Sequence, residues 1–309
     1  MDRVDRVDRG LAETQILLTN HRKLAMTRHR IVTVSPTSPC GVMLYLLFVL
    51  FGCLTGVSTV LFGFGGGFVV VPLLYRTLGS ADGPGPAAMH VAVATSTAVM
   101  IVNAWLATRQ HRLAGNILSP YIWPLAGFIG LGAVVGAGAA VLASEDIVRF
   151  AFVAYLAATL ADCLLRRGFL SHAPGSAPRP LGQAQTVAGG VVIGVVATFL
   201  GVGGSVMTVP LLRRRGLSMT QATAMANPLS LPVAVLGTLT YAAMAWHQPL
   251  TQGPRYLGNI DLAAFALLSL GSLAGIRLAG RWVGRIPDRI HARVYIALLA
   301  LVMASMMIK

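Results

Sequence analysis

Of the 309 residues, 55% are hydrophobic and 11% charged, less than half the roughly 25% of charged residues in ordinary soluble domains, which excludes a soluble globule. The formal net charge of +14 comes from 24 Lys and Arg set against 10 Asp and Glu. These bases lie mostly in short connections between apolar runs rather than on one long basic surface, so membrane orientation accounts for them and no nucleic-acid partner is expected. Cys40, Cys53 and Cys163 have neither CxxC spacing nor a histidine pattern. They are read as unpaired thiols, and neither a disulfide framework nor a metal site is expected.

In chain order, residues 1–40 open on MDRVDRVDRG and hold seven Lys/Arg and four Asp/Glu without a sustained apolar face. This composition predicts a disordered N-terminal tail, and Met26 within it is an alternative start. Residues 41–62 are too long for a signal-peptide core and run straight into a glycine motif, so they read as a retained first membrane helix. Apolar stretches follow over 88–108, 117–142, 147–165, 184–200, 217–246, 258–280 and 290–308. Several are long enough to cross the ~30 Å hydrocarbon core as helices. The predicted fold class is an all-α polytopic membrane protein of about eight transmembrane helices plus glycine-broken half-helices.

GFGGGFVVVPLL at 63–74 recurs as GVGGSVMTVPLL at 201–212. Gly63, Gly65, Gly66, Val71, Pro72, Leu73 and Leu74 pair with Gly201, Gly203, Gly204, Val209, Pro210, Leu211 and Leu212. Further on, Gly132 in GAVVGAG and Gly271 in GSLAGIR begin matching four-residue glycine spacings. Each is followed by acids ahead of a last apolar run, Glu145 and Asp146 in one case and Asp288 in the other. The chain therefore reads as two internal repeats, 41–165 and 184–309, joined by the Pro/Gly/Ser-rich linker 166–183. Glycines inside continuous apolar sequence should break the helix. Pro72 and Pro210 are structural helix breakers that leave either a short helix with a proline-relieved first turn or a kinked one. Freed backbone groups are tolerated in lipid only when buried in protein or lining a wet cavity, and matched breaks in two halves point to a transporter's substrate site.

Arg109/Arg112, Arg166/Arg167/Arg179, Arg213–Arg215 and Arg281/Arg285/Arg289/Arg293 mark four basic connections that should share the cytoplasmic side. They do so if 184–200 and 204–215 form a hairpin around the glycine turn, which makes the repeats inverted. The same scheme puts the arginine-containing tail outside, so either the tail is mis-started or 66–78 is re-entrant.

With its duplicated G-x-G-G-[GS]-x-x-x-V-P-L-L signal, about eight helices and two halves, the chain from residue 41 onward resembles the sulfite exporter TauE/SafE family of membrane transporters. The resemblance implies movement of sulfite, sulfonates and related small organosulfur or carboxylate compounds across the bacterial inner membrane. Ser205, where the first motif has Gly67, departs from the repeat and adds a hydroxyl.

An anionic substrate needs donors without the cost of a buried charge, and backbone N–H groups at half-helix N-termini supply them. Gly65, Gly66, Gly67, Gly203, Gly204 and Ser205 are the first candidates, with close helix packing as the alternative role. Thr95, Ser96, Asn103, Asn227 and Ser230 are small polar groups within apolar helices. They are able to donate to an oxyanion, or instead bond back to their own helix or join neighbouring helices. Asn227 stands out because Pro228 and Pro232 should loosen its helix. Arg277 offers either a counter-charge or a helix end snorkelling to the surface. Asp162, four before Arg166, reads as a helical ion pair, and His90 and His247 as interfacial residues. The absence of G-x-S-x-G, H-E-x-x-H and GK[ST] argues against an enzyme, and no cofactor is expected. The expected partners are a small anionic substrate and the lipid bilayer, with a homo-oligomer left open. The competing reading is a non-transporting membrane assembly subunit.

Overall fold

The computed structural model describes residues 39–78, 87–165, 180–247 and 255–307. The chain divides into two compact units, Met1–Met43 and Leu44–Lys309. Of the first, residues 1–38 lie outside the described residues, while Pro39 and Cys40 are already helical, so the first helix begins ahead of residue 41. Most of the linker 166–183 also lies outside them.

The described helices are α1 (Pro39–Phe62), α2 (Gly67–Leu78), α3 (Ala88–Leu113), α4 (Leu125–Leu142) and α5 (Glu145–Leu165), then α6 (Gln183–Leu200), α7 (Ser205–Arg214), α8 (Met219–His247), α9 (Leu262–Gly280) and α10 (Asp288–Met307). Strands β1 (Tyr256–Leu257) and β2 (Ile260–Asp261) form a small antiparallel pair before α9. Among the described residues eight helices are long and apolar enough to cross a membrane, as expected of an all-α polytopic protein. The short helices α2 and α7 are not among them.

The helix breaks occur where the glycines require them. Gly63, Gly65 and Gly66 take φ of +74°, +65° and +97°, and Gly201 and Gly203 take +66° and +71°, values that L side chains adopt only with strain. Pro72 and Pro210, by contrast, lie inside α2 and α7 rather than in their first turns. Proline leaves the carbonyl four residues back without its helical donor. For Pro210 that carbonyl is Val206, and the Tyr295 hydroxyl donates to it over 3.5 Å. The loosening expected around Asn227 is not seen: α8 runs unbroken through Pro228 and Pro232.

Cross-contacts fix the helix directions. Gly52 lies on Leu268, Gly56 on Ser272 and Gly275 on Cys53, so α1 and α9 run parallel. Thr95 accepts from the Asp261 N–H at the start of α9 (2.9 Å), and the Gln110 side chain covers Gly280 at its end, which aligns α3 with them. On the other side, Gly190 packs on Phe128, Gly194 on Ile129, Gly130 on Leu236 and Gly138 on Met244, so α4, α6 and α8 are mutually parallel. Thr97 lies beside Gly237 while His111 shares a small cavity with Thr220 and Thr223, so α3 and α8 are antiparallel.

The last helix of each set follows suit. Arg149 of α5 lies over the Tyr75 ring at the end of α2, and Asp162 pairs with Arg214 at the end of α7. Asp288 of α10 pairs with Arg213 of α7, whereas Arg76 of α2 donates to the Ser305 carbonyl near the end of α10. Each of the α-helices α1–α5 thus has a counterpart among α6–α10 running the opposite way, which is the geometry of an inverted repeat.

The two sets are exchanged across their interface. The first helix of each packs on the fourth of the other, α1 on α9 and α4 on α6, through Gly52/Gly56 against Gly271/Gly275 and Gly132/Gly136 against Gly190/Gly194. Lipid tails are as apolar as leucine, so close backbone approach at small residues supplies the attraction that water exclusion supplies elsewhere. Ion pairs then close the ends. Asp162 meets Arg214, and its expected helical partner Arg166 lies outside the described residues.

Candidate functional site

The two glycine turns meet inside the protein. Gly65 and Gly203 both abut the Met100 sulfur and the Ser230 hydroxyl, one turn arriving from each set. Gly63 lies on the backbone of Thr223, and Gly201 on that of Val93, so α3 and α8 present corresponding positions to the two turns. Around this point Ser96, Asn103, Ser205, Asn227 and Ser230 are all fully buried. In the first turn and the start of α2 the N–H groups of Gly65, Gly66, Gly67 and Phe68 find no backbone acceptor, and in the second turn and the start of α7 the same holds for Gly203, Gly204, Ser205 and Val206. Two sets of free donors, each at the positive end of a helix dipole, therefore converge on one region, an arrangement suited to negative charge.

Several candidate donors are already committed. Ser96 donates to Gly201 O (2.6 Å) and ties the second turn to α3. Ser230 donates to Ala226 O (2.9 Å) and the Asn227 amide to Thr223 O (3.1 Å), both within their own helix. Thr95 belongs to another locus, at the start of α9 beside Asp261. Still unpartnered are both side-chain atoms of Asn103, the Ser205 hydroxyl and the Asn227 carbonyl oxygen. A buried amide with neither atom satisfied is costly, and it marks Asn103 as the group in this cluster most in need of a further partner.

The two turns share a left-handed backbone at Gly63/Gly201 and Gly65/Gly203 but part at the third pair, where Gly66 takes φ +97° and Gly204 −70°, and they differ chemically as well. The Asn103 amide and the Thr55 methyl press against Gly66, where any side chain would collide with them. At the second turn Gly204 faces the Ile193 methyl instead, 2.8 Å from where a Cβ would sit. The contrast extends along the helices, since Thr55, Ser58 and Thr59 of α1 are buried polar residues whose counterparts on α6 are Ile193, Val196 and Ala197. The three hydroxyls donate to Phe51 O and Thr55 O at 2.6–2.9 Å, which turns their lone pairs outward. The sequence reading passed over them, although the TGVST stretch in an otherwise apolar helix was a readable signal.

The charged candidates fall outside this region. Arg277 is exposed on α9, the snorkelling alternative of the two. His90 is half-buried and bonds Ala143 O (3.0 Å), while the side chain of His247 lies outside the described residues. Cys53 and Cys163 are free thiols, and no metal-binding group of His, Cys, Asp or Glu occurs among the described residues. A separate cavity between α3, α4 and α8 is lined by Thr108, Arg112, Trp123, Pro228 and Pro232. At 100° per residue its α8 lining lies on the side away from Asn227 and Ser230, so it does not open into the central cluster.

Three comparisons with known proteins bear on this arrangement. A family model described as Sulfite exporter TauE/SafE matches residues 48–306. The chain is 27% identical over 265 residues to a probable membrane transporter protein of Haemophilus influenzae, covering 85% of this chain and 98% of that protein. No solved structure gives a match.

Proposed function

The chain belongs to the sulfite exporter TauE/SafE family, and from that premise we propose that this membrane transporter carries a small inorganic or organic anion of the sulfite, sulfonate or carboxylate type. It does so by alternating access around the two glycine-broken hairpins. The observation that carries this reading is the meeting of two inverted half-helix N-termini at Met100 and Ser230, beside an Asn103 amide with no partner. Alternating access between inverted repeats needs a site that both halves can reach from opposite sides, and a meeting point of this kind supplies one. The repeat boundaries 41–165 and 184–309 are part of the proposal.

Orientation follows from the arginines. Arg109, Arg112, Arg213, Arg214, Arg215, Arg281, Arg285 and Arg289 gather at one face, against Arg76, Arg149 and Arg255 at the other, among the described residues. The richer face is assigned to the cytoplasm of a bacterial inner membrane. The start of α1 within the second unit packs with Leu78 and Ala88 at the opposite face. The helix therefore enters from the periplasmic side, α2 descends from mid-depth to that same side, and the four basic connections need no further crossing.

The anion is assigned to the first turn, since Asn103 presses on Gly66 there and the hydroxyls of Thr55, Ser58 and Thr59 stand where the second turn has Ile193, Val196 and Ala197. Gly65, Gly66 and Gly67 with Asn103 form the seat. Gly203, Gly204 and Ser205 with Asn227 and Ser230 form the apolar-backed wall that closes it. Asn103→Leu, close in size and without donors, should remove one hydrogen bond to a charged ligand, worth about 1.5–3 kcal/mol. That is roughly ten- to hundredfold in affinity. The test is flux in proteoliposomes of purified protein across a panel of sulfite, sulfonates and carboxylates, with folded protein quantified in parallel. Flux that depends on the anion and falls in Asn103→Leu at equal folded protein is the expected result. No flux with any of the anions would favour the assembly-subunit reading.

A further inference from the structure

Two buried histidines, outside the proposed anion seat, hold the end of α1. His111 of α3 bonds Val60 O over 2.8 Å, and His291 of α10 bonds Leu61 O over 2.6 Å. These are successive carbonyls in the last turn before the first glycine turn, and they are left without helical donors because the helix stops there. A carbonyl can only accept, so in both rings Nε2 carries a hydrogen and Nδ1 is left as the basic atom. Both Nδ1 atoms are buried without a partner, in side chains 1% and 3% exposed. The rings line one small cavity with Val60, Leu61, Thr220, Thr223 and Trp282, and the His291 ring also packs edge-on against Phe62, 5.1 Å between centroids.

We propose that His111 and His291 form the proton site that couples this transporter to a proton gradient, acting on the first glycine hairpin from the arginine-rich face. The proposal rests on the transport reading above. A proton arriving at either Nδ1 produces an imidazolium buried from water, for which the cavity lining offers the neutral hydroxyls of Thr220 and Thr223 but no carboxylate. α1 and α8 offer only Val60, Leu61, Thr220 and Thr223 there, and the segment leading into α10 offers Trp282 and Ile286. The charged neighbours do not supply the carboxylate. Asp288 of α10 is engaged by Arg213 of α7 and by the Met219 N–H of α8, while Arg112 of α3 and Arg285 add positive charge at the exposed edge. The charge is stabilised only when water reaches the cavity, which requires the α1 end to move away from α8 and α10. Protonation and opening on this face are thus linked, since a ligand shifts an equilibrium toward the state that holds it better.

Among the described residues the device exists on one side only. At the corresponding place in the second hairpin the Tyr241 hydroxyl donates to Thr198 O over 2.6 Å, and a phenol does not change charge near neutral pH as imidazole does. His90, at the opposite face, holds Ala143 O and not a hairpin carbonyl. A proton therefore opens one gate and leaves the other unaffected, the asymmetry that lets a gradient set a direction.

The test uses His111→Gln/His291→Gln, which keeps an N–H donor for each carbonyl and removes the titration. Hydrogen–deuterium exchange of the full chain in nanodiscs, corrected for intrinsic rates, is compared at about pH 6 and about pH 8, either side of the ordinary imidazole range. Residues 60–67 should exchange about fivefold or more faster at the lower pH in the natural protein, the lower end of typical coupling between linked sites. In the glutamine variant they should not respond. Sulfite-loaded proteoliposomes should then show flux that a pH gradient accelerates in the natural protein and leaves unchanged in the variant. Exchange at 60–67 that ignores pH, or a variant whose flux still follows the gradient, overturns the proposal. Absence of flux with every anion would instead count against the transport reading, and the exchange result would still decide whether the proton site exists.

Discussion

Gly132→Ala should strip most of the folded protein from the membrane, whereas Gly138→Ala, less than two turns further along the same helix, should leave it intact or slightly more stable. A methyl group at Gly132 would lie inside the van der Waals envelope of the Val191 carbonyl and the Val195 N–H on α6, both of them backbone that cannot turn aside. Overpacking of this kind costs ~1–3 kcal/mol in ordinary cores, and the rigid neighbour places Gly132 at or above the upper end. At Gly138 the nearest atom is the flexible Met244 sulfur at 3.9 Å, so alanine gains about 1 kcal/mol of helix propensity and little else. Detergent-extracted yield of monodisperse protein and its unfolding temperature are the measurements. Equal stability of the two variants would show that α4 does not touch α6 at this point, and the exchange of helices between the halves would have to be abandoned.

Asp288→Asn should be nearly as damaging, for an electrostatic reason. The Arg213 side chain is 0% exposed and pairs with Asp288, which is itself 35% exposed. Asp288 also accepts from the first N–H of α8 at Met219 (2.8 Å). Removing one member of a buried pair leaves an uncompensated charge and typically costs ~3–5 kcal/mol, and the partial exposure of Asp288 places this case at the lower end. Arg213→Met/Asp288→Leu should recover most of that loss, because the desolvated charge goes with its partner. Thermal unfolding of the natural protein, the single variant and the double variant decides the matter. A single variant as stable as the natural protein would mean that water already reaches Arg213.

The membrane class, the number of spanning helices and the doubled glycine turn were legible in the sequence because each depends on local composition. Apolar length sets the spans, and a positive φ in an apolar run demands glycine in both copies. Other features were legible only in part. Pro72 and Pro210 announced the half-helices but not their position inside them. Pro228 and Pro232 suggested a loosened helix, yet α8 continues through both because it is buried against α3 and α4 on either side. Ser96, Ser230 and Asn227 had the right chemistry for a donor, but whether a hydroxyl or amide is spent on a carbonyl depends on what lies within 3 Å of it. Ser96 is bound to Gly201, 105 residues away in the chain.

What the sequence by itself determined is therefore the set of elements and their two-fold repetition, since helix length, helix breaks and the arginine asymmetry are properties of short windows. The tertiary structure decided the pairing. Small residues four apart occur in α1, α4, α6 and α9 alike, and nothing local says that α1 should take α9 and α4 should take α6. The same holds at the hairpins, where the repeated glycines promise two equivalent turns. Only the packing shows Asn103 and Thr55 against the first and Ile193 against the second, with His111 and His291 holding the carbonyls of one helix end. Those contacts join residues far apart in the chain, so they are fixed by which surfaces pack most closely in three dimensions.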